Sequence, residues 1–259
     1  MGVHGRRGVI RSFLATRGEV GITELASTLD VSEMTIRRDL EELEEQGVAR
    51  RVRGGAIATV SRSYEPPLAT RATEAQEAKL RIGHAAAQYI EYGETAILDV
   101  GTTTLALARC LRGRSGLTIV TPSVQAAVEL AGDPNTRVIL TGGIVRPGEL
   151  SLIGHLAEGT FSQLNCDVLF LGVGGINAEK GLTEYNLDDT RVKRAALRAA
   201  SRKVALADQS KLGRVCLATI SPLSEIDVLI TDAAPDHPGL AEVRDAGVEV
   251  VSVPPTEDS

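Results

Sequence analysis

The chain has 259 residues, 43% of them hydrophobic, and a formal net charge of −6, which allows a large core and more than one domain but excludes a uniformly basic nucleic-acid coat. No run of about 18 apolar residues is present to span a bilayer, and the opening Met1-Gly2-Val3-His4-Gly5-Arg6-Arg7 holds no apolar signal core, so a cytoplasmic location is expected. Cys110, Cys166 and Cys216 lie far apart in apolar surroundings and read as reduced thiols, which excludes a disulfide framework and any metal-ligand spacing.

Val9, Ile10, Phe13 and Leu14 recur at helical spacing and stop at Gly18, predicting a first helix. A second follows with Thr23 as its expected cap and Ile22, Leu25, Ala26 and Leu29 inside. Asp30 tolerates a left-handed conformation in the tight connection beyond it. Ser32 then caps a third helix, whose Ile36, Leu40 and Leu43 form one narrow apolar stripe. Met34, Thr35, Arg37 and Arg38 lie off that stripe near the N-terminal end, which a recognition helix presents to base edges. Glu41, Glu42, Glu44 and Glu45 crowd the later turns, where phosphates would be repelled. Arg37–Glu41 and Arg38–Glu42 also fit i,i+4 pairing on a solvated face. Beyond Gly47, short alternating runs around Gly54-Gly55 predict a β-hairpin with Arg51 and Arg53 on one face. Together these make a winged helix-turn-helix over residues 1–58. Through residue 60, nine Arg balance nine Asp or Glu, so the whole −6 belongs to the remainder.

Residues 59–73, with Ser61, Ser63, Pro66 and Pro67, read as a linker. A helix is expected from about residue 74 to 92, apolar through Leu80, Ile82, Ala86 and Ile90. Residues 74–259 then alternate short apolar β runs (96–100, 117–121, 138–141, 168–172, 204–207, 228–231, 248–253) with helical stretches near 103–112, 123–131, 154–164, 188–201 and 237–246. The fold class expected is therefore α/β, a doubly wound and largely parallel sheet behind the winged helix-turn-helix.

Ligands of open α/β sheets bind outside the carboxyl ends of the strands, and five polar turns follow strands in this chain. Asp99-Val100-Gly101-Thr102-Thr103-Thr104 leads into a helix; it suits a phosphate at a helix N-terminus or, equally, a plain helix cap. Thr121-Pro122-Ser123 reads as another cap or contact. Gly142 and Gly143 precede a loop carrying Arg146; Gly174 and Gly175 form the fourth turn; Asp208-Gln209-Ser210-Lys211 is the fifth. Parallel topology gathers such turns at one edge, favouring a small anionic ligand held by N–H groups, hydroxyls and Arg146 or Lys211. The histidines His4, His84, His155 and His237 are isolated from metal-ligand partners. Asp188-Asp189 marks a helix start, with a lesser role for Asp188 or Lys193 toward sugar hydroxyls also open.

Glu24-Leu25-Ala26, Val31-Ser32, Thr35-Ile36-Arg37-Arg38-Asp39-Leu40, Leu43, Gly47 and Arg51-Val52-Arg53-Gly54-Gly55-Ala56 resemble the DeoR family of bacterial transcriptional regulators. The second half is similar to the family's sensor through Asp99-x-Gly101-Thr102-Thr103, Thr141-Gly142-Gly143, the glycines at 172, 174 and 175, Gly181-Leu182-Thr183 and Asp208-x-Ser210-Lys211. The resemblance implies an operator-binding domain joined to a domain with the fold of ribose-phosphate isomerases that senses a phosphorylated sugar. It departs at Arg53, where the family usually has His, and at Pro122, where Thr121 is usually followed by Asn; Pro122 has no N–H to offer, leaving that contact to Ser123.

Two functions are weighed. In the first, Ser32, Met34, Thr35, Arg37, Arg38, Arg51 and Arg53 meet double-stranded operator DNA, and a sugar phosphate at the five turns alters repression of a carbohydrate operon by a homodimer or homotetramer, with no cofactor. In the second, the chain is a sugar-phosphate isomerase with an accessory domain; that chemistry needs an acid/base pair, of which Asp99 is one candidate and Asp208 the nearest second.

Overall fold

The computed structural model describes residues 3–46, 48–58 and 62–255, with 3, 4, 15 and 16 as backbone alone. Gly47, Ser61 and the His4 side chain, named above, lie outside that description. Contacts divide the chain into two compact units, Met1–Tyr64 and Glu65–Ser259.

The first unit runs α1 (Val3–Arg17), β1 (Glu19–Gly21), α2 (Ile22–Leu29), α3 (Glu33–Glu45), β2 (Ala49–Val52) and β3 (Gly55–Ala58). Its core is Ile10, Leu14, Leu25, Ile36, Leu40 and Leu43, so the apolar stripe of the third helix faces inward as its spacing requires. Asp30 takes the expected left-handed backbone at the end of α2, with φ of 51°. Two details differ. Gly21, not Thr23, precedes α2, and the Thr23 hydroxyl instead donates to Glu33 Oε1 at 2.8 Å. The hairpin turns at Arg53-Gly54, while Gly55 lies in β3, in a sheet of order β1-β3-β2 that includes a strand absent from the sequence reading. A Cβ on Gly55 would sit 2.0 Å from the Val20 carbonyl oxygen, so glycine there reflects strand contact rather than the turn.

The second unit begins with α4 (Leu68–Thr73), α5 (Gln76–Ala87), β4 (Thr95–Leu98), α6 (Thr102–Cys110), β5 (Leu117–Thr121), α7 (Val124–Leu130) and β6 (Thr136–Leu140). The hairpin β7 (Ile144–Arg146) and β8 (Ser151–Ile153) follows, then α8 (His155–Phe161) and β9 (Cys166–Gly172). The chain ends through β10 (Gly175–Asn177), β11 (Gly181–Glu184), α9 (Leu187–Ala199), β12 (Ala200–Leu206), β13 (Ala218–Ser221), β14 (Val228–Thr231), α10 (Pro238–Asp245) and β15 (Glu249–Ser252).

Seven strands form one parallel sheet of order β15-β14-β12-β9-β4-β5-β6. Alternate residues bury on opposite faces: Ile97, Leu169, Leu171, Ala205 and Leu229 join the side chains of α8, α9 and α10, whereas Ala96, Leu98, Phe170, Val204 and Ile230 join α5, α6 and α7. The doubly wound expectation holds. From β4 the chain proceeds outward to β6, then returns to place β9 on the other side of β4. The topological switch point, where such sheets open a ligand crevice, therefore lies between β4 and β9.

Three expectations are corrected. The linker does not reach residue 73: residues from Glu65 belong to the second unit and include α4, because Glu65 and Arg71 form ion pairs within it. The next helix is Gln76–Ala87, shorter than 74–92, and Leu80 is exposed while Ile82, Ala86 and Ile90 are buried. The small antiparallel sheets β10-β11-β13 and β7-β8 were not foreseen; their short strands carry little periodicity.

Candidate functional site

In the first unit, the Ser32 hydroxyl accepts from the Thr35 N–H at 3.2 Å and caps α3 as the sequence requires. Met34 is 60% exposed at the same end, and Arg37 and Arg38 are exposed beside it. The i,i+4 pairs Arg37–Glu41 and Arg38–Glu42 do not form. Arg37 instead lies 3.6 Å from Glu33, and Glu42 faces Arg7. Arg38 and Arg53 have no carboxylate partner among the described residues. Arg51 does: its Nη1 donates to Glu41 Oε1 at 2.9 Å, and its N–H to Glu44 Oε1 at 2.8 Å, so it does not share one free face with Arg53. The unforeseen residue is Asp39, buried between α1 and α3, where its two oxygens accept from Arg6 Nε at 2.5 Å and Arg7 Nε at 2.9 Å. This pairing fixes the docking of the helix that carries Arg38.

In the second unit, the switch point is filled by charge. Asp99, at the end of β4, accepts from the Gly172 N–H at 3.0 Å and from the Lys193 ammonium. Lys193 also donates to the Gly172 carbonyl at 2.9 Å and lies 3.3 Å from Glu184. All three charged groups are buried. Burial alone would strip the lysine of its proton, but Asp99 and Glu184 outweigh it and hold its pKa above the ordinary value. A carboxylate accepting from both an ammonium and a backbone N–H is ionised, although burial pushes Asp99 upward. A Cβ on Gly172 would sit 2.7 Å from the Val100 carbonyl, so glycine lets the two central strands carry this pair at close quarters.

The turns after the neighbouring strands carry further polar groups. Gly101 adopts φ of 135° and ψ of 164°, a backbone that glycine alone tolerates comfortably, and opens α6. Thr102 and Thr103 are half-buried in its first turn, where N–H groups lack helical partners. Lys211 has no ion pair among the described residues; burial, Arg214 and Arg71 lower its pKa against the pull of Asp208. Arg146 reaches Glu65 Oε2 at 2.5 Å and lies 2.9 Å from Asp189 Oδ2, while Arg71 pairs with Glu65 at 2.9 Å and with Glu149.

Several expected contacts are instead spent on the protein. The fully buried Thr121 hydroxyl donates to the Leu98 carbonyl at 2.6 Å and accepts from the Ser123 N–H, leaving no donor for a ligand. Ser123 caps α7 by accepting from Ala126 N–H at 3.1 Å, and Thr104 donates to the Gly101 carbonyl at 2.9 Å. Gly174 and Gly175 are packing positions: added Cβ atoms would meet the Tyr185 ring at 2.9 Å and the Arg214 carbonyl at 2.4 Å. Gly143 accommodates the Ile153 carbonyl oxygen, 2.5 Å from where its Cβ would stand, and Gly142 beside it is exposed. Asp208 caps the turn at Ser210, accepting its N–H at 3.0 Å, and is not the second acid beside Asp99; Glu184 and Lys193 hold that position. Glu65, Arg71, Glu149 and Glu184 were missed. Pro66 and Pro67 gave their segment the look of a linker, and the strand bearing Glu184 is only four residues long.

Among the described residues no helix is long and apolar enough to cross a membrane, and no group of His, Cys, Asp or Glu is placed to hold a metal ion. The DeoR-like helix-turn-helix domain matches residues 6–62, and the DeoR C-terminal sensor domain matches residues 74–233. The chain belongs to the DeoR family. This DeoR family protein is thus a DNA-binding transcriptional regulator rather than an enzyme. It is 36% identical to the HTH-type transcriptional regulator GolR of Listeria innocua over 95% of its own length and 96% of that protein. It is 35% identical to the glycerol-3-phosphate regulon repressor of Escherichia coli K12, covering 89% of this chain and 91% of the repressor. Among solved structures, ribose 5-phosphate isomerase A from Methanocaldococcus jannaschii superposes with a TM-score of 0.39 at 17% identity, over 52% of this chain and 54% of the other.

Proposed function

We propose that this regulator represses a carbohydrate catabolic operon and that a phosphorylated sugar bound at the switch point of its second unit changes its affinity for the operator. The observation that carries the reading is the pairing, in one chain, of a capped helix presenting an Arg38 without a carboxylate partner among the described residues with a separate cluster of buried charged groups at the β4/β9 switch point. Thr35 and Met34 would meet base edges, and Arg38, Arg37 and Arg53 would meet phosphates or guanine edges. The effector phosphate would rest on the first turn of α6, at Gly101, Thr102 and Thr103, with Lys211 as the nearby free cation. Sugar hydroxyls would face Arg146 and the rim of the Asp99–Lys193–Glu184 cluster. A homodimer or homotetramer fits an operator with two-fold symmetry. The effector acts only through its difference in affinity for the two states of the regulator.

Gel retardation with a duplex selected from a random library tests the first half. Arg38→Ala is expected to abolish the specific shift while circular dichroism stays unchanged; undiminished specific binding overturns this placement of α3. A thermal-shift panel of sugar phosphates tests the second half, since a ligand at one hundred times its Kd stabilises by about 2.7 kcal/mol.

A further inference from the structure

Arg71 and Arg146 are held by three carboxylates. Arg71 Nη2 donates to Glu65 Oε1 at 2.9 Å and also pairs with Glu149. Arg146 Nη2 donates to Glu65 Oε2 at 2.5 Å, and its Nε lies 2.9 Å from Asp189 Oδ2. Glu149 and Asp189 would suffice to neutralise the two guanidiniums, so Glu65 is the surplus charge. The charged groups that act on it most are Arg71 on α4, Glu149 in the turn after β7, Glu184 on β11 and Arg146 on β7. Burial pushes its carboxyl up to about 7; Arg71 and Arg146 pull against that, and Glu149 and Glu184 add to it.

Two buried atoms in the cluster lack a well-aligned hydrogen bond. The Arg146 Nε contact with Asp189 is out of alignment, and Ser151 Oγ, fully buried opposite Arg146 in the β7–β8 hairpin, lies beside the same Asp189 carboxylate without hydrogen-bond alignment. Unmade hydrogen bonds in a buried site are costly, so the cluster retains capacity for ligand hydroxyl and carbonyl oxygens. Glu65 is also the residue at which the second unit begins. Pro66 and Pro67 stiffen the chain directly behind it, and Arg71 Nε holds the Pro66 carbonyl at 2.8 Å. The Glu65 carboxylate and the Pro66 carbonyl behind it are thus held by one guanidinium.

We infer that Glu65 is a displaceable latch: the hydroxyl-bearing end of a sugar phosphate seated at the switch point takes over Arg146 and Ser151, expels the Glu65 carboxylate, and frees the chain where the second unit begins. The inference rests on the effector reading given above and adds the route by which the bound sugar acts on the junction. Because Glu65 competes with the sugar for Arg146, the apparent affinity of the intact protein is reduced by the latched fraction.

Isothermal titration of the full chain with ribose 5-phosphate, fructose 6-phosphate, glycerol 3-phosphate and inorganic phosphate tests the competition. Glu65→Ala is expected to bind whichever sugar phosphate the wild type prefers about tenfold more tightly, and inorganic phosphate, which spans only the α6 turn, equally well. Hydrogen exchange on the wild type supplies a readout independent of any variant: protection over residues 65–73 should fall on adding that sugar phosphate. Equal or weaker sugar-phosphate affinity in Glu65→Ala, or unchanged or increased protection of 65–73, overturns the latch while leaving the effector reading standing. Absence of binding by every sugar phosphate to both proteins overturns the two together.

Discussion

Arg38 and Arg53 are exposed guanidiniums without a carboxylate partner among the described residues, whereas Arg51 is held by Glu41. A phosphate contact by a free arginine releases counterions, while one by Arg51 must first break an ion pair. Arg38→Ala and Arg53→Ala should each reduce the slope of log K against log salt by about one, measured on a fixed duplex. Glu41→Gln should steepen it by releasing Arg51. At the switch point, Lys193→Met leaves Asp99 and Glu184 buried without their cation, and a loss of about 3–5 kcal/mol is expected in urea unfolding. Glu65 yields a pH signature. Its folded pKa, about 7, is raised above the ordinary 4.5, so its contribution to stability is full below pH 4.5 and is lost as pH rises through 7. Glu65→Gln cannot ionise and should keep its stability as pH rises from 4.5 to 7, opening a gap from wild type on the order of 3 kcal/mol at most that is complete just above pH 7; parallel unfolding profiles from about pH 4 to 8 would refute this. Asp99 and Lys211 were legible in the sequence because they lie in polar turns that follow strands. Glu65, Arg71 and Glu184 were not, because their importance lies in partners far along the chain: Arg146 is 81 residues from Glu65.

Elements with strong local patterns were legible: the capped α3, the apolar β runs of the large sheet and the helices between them. Local signals fail where a glycine serves a neighbouring element. Gly174 and Gly175 look like a ligand-binding turn, yet their missing side chains admit Tyr185 and the Arg214 carbonyl. Gly83 is similar: a Cβ there would lie 2.9 Å from the Leu107 N, where α5 crosses α6. Both helices are backbone at that point and neither can yield by a rotamer change. Gly83→Ala is therefore expected to cost about 1–3 kcal/mol, read from the denaturation midpoint, and to disturb the first turn of α6 enough to weaken sugar-phosphate binding.

For the whole molecule, the boundary at Tyr64/Glu65 decides what an isolated sensor must contain. A fragment starting at residue 65 keeps the Glu65 and Arg71 ion pairs; one starting at residue 74 leaves Arg146 and Glu149 with altered neutralisation. The longer fragment should show a single cooperative transition and a sugar-phosphate-dependent shift, and the shorter should melt lower by several degrees. Equal melting temperatures for the two would show that residues 65–73 add nothing to the unit.

The Asp99–Lys193 pair also has a kinetic meaning. It joins residues 94 apart across the switch point, after strands from both runs of the sheet have been laid side by side. Contacts of such sequence separation demand loop closure before they repay it and tend to form late. Interactions absent from the folding transition state slow unfolding rather than speed folding. Loss of Lys193 should therefore appear chiefly as a faster unfolding limb in a chevron plot. The charged cluster thus belongs to a late stage of assembly, so whatever ligand the proposed site takes would find it complete only once the second unit has folded.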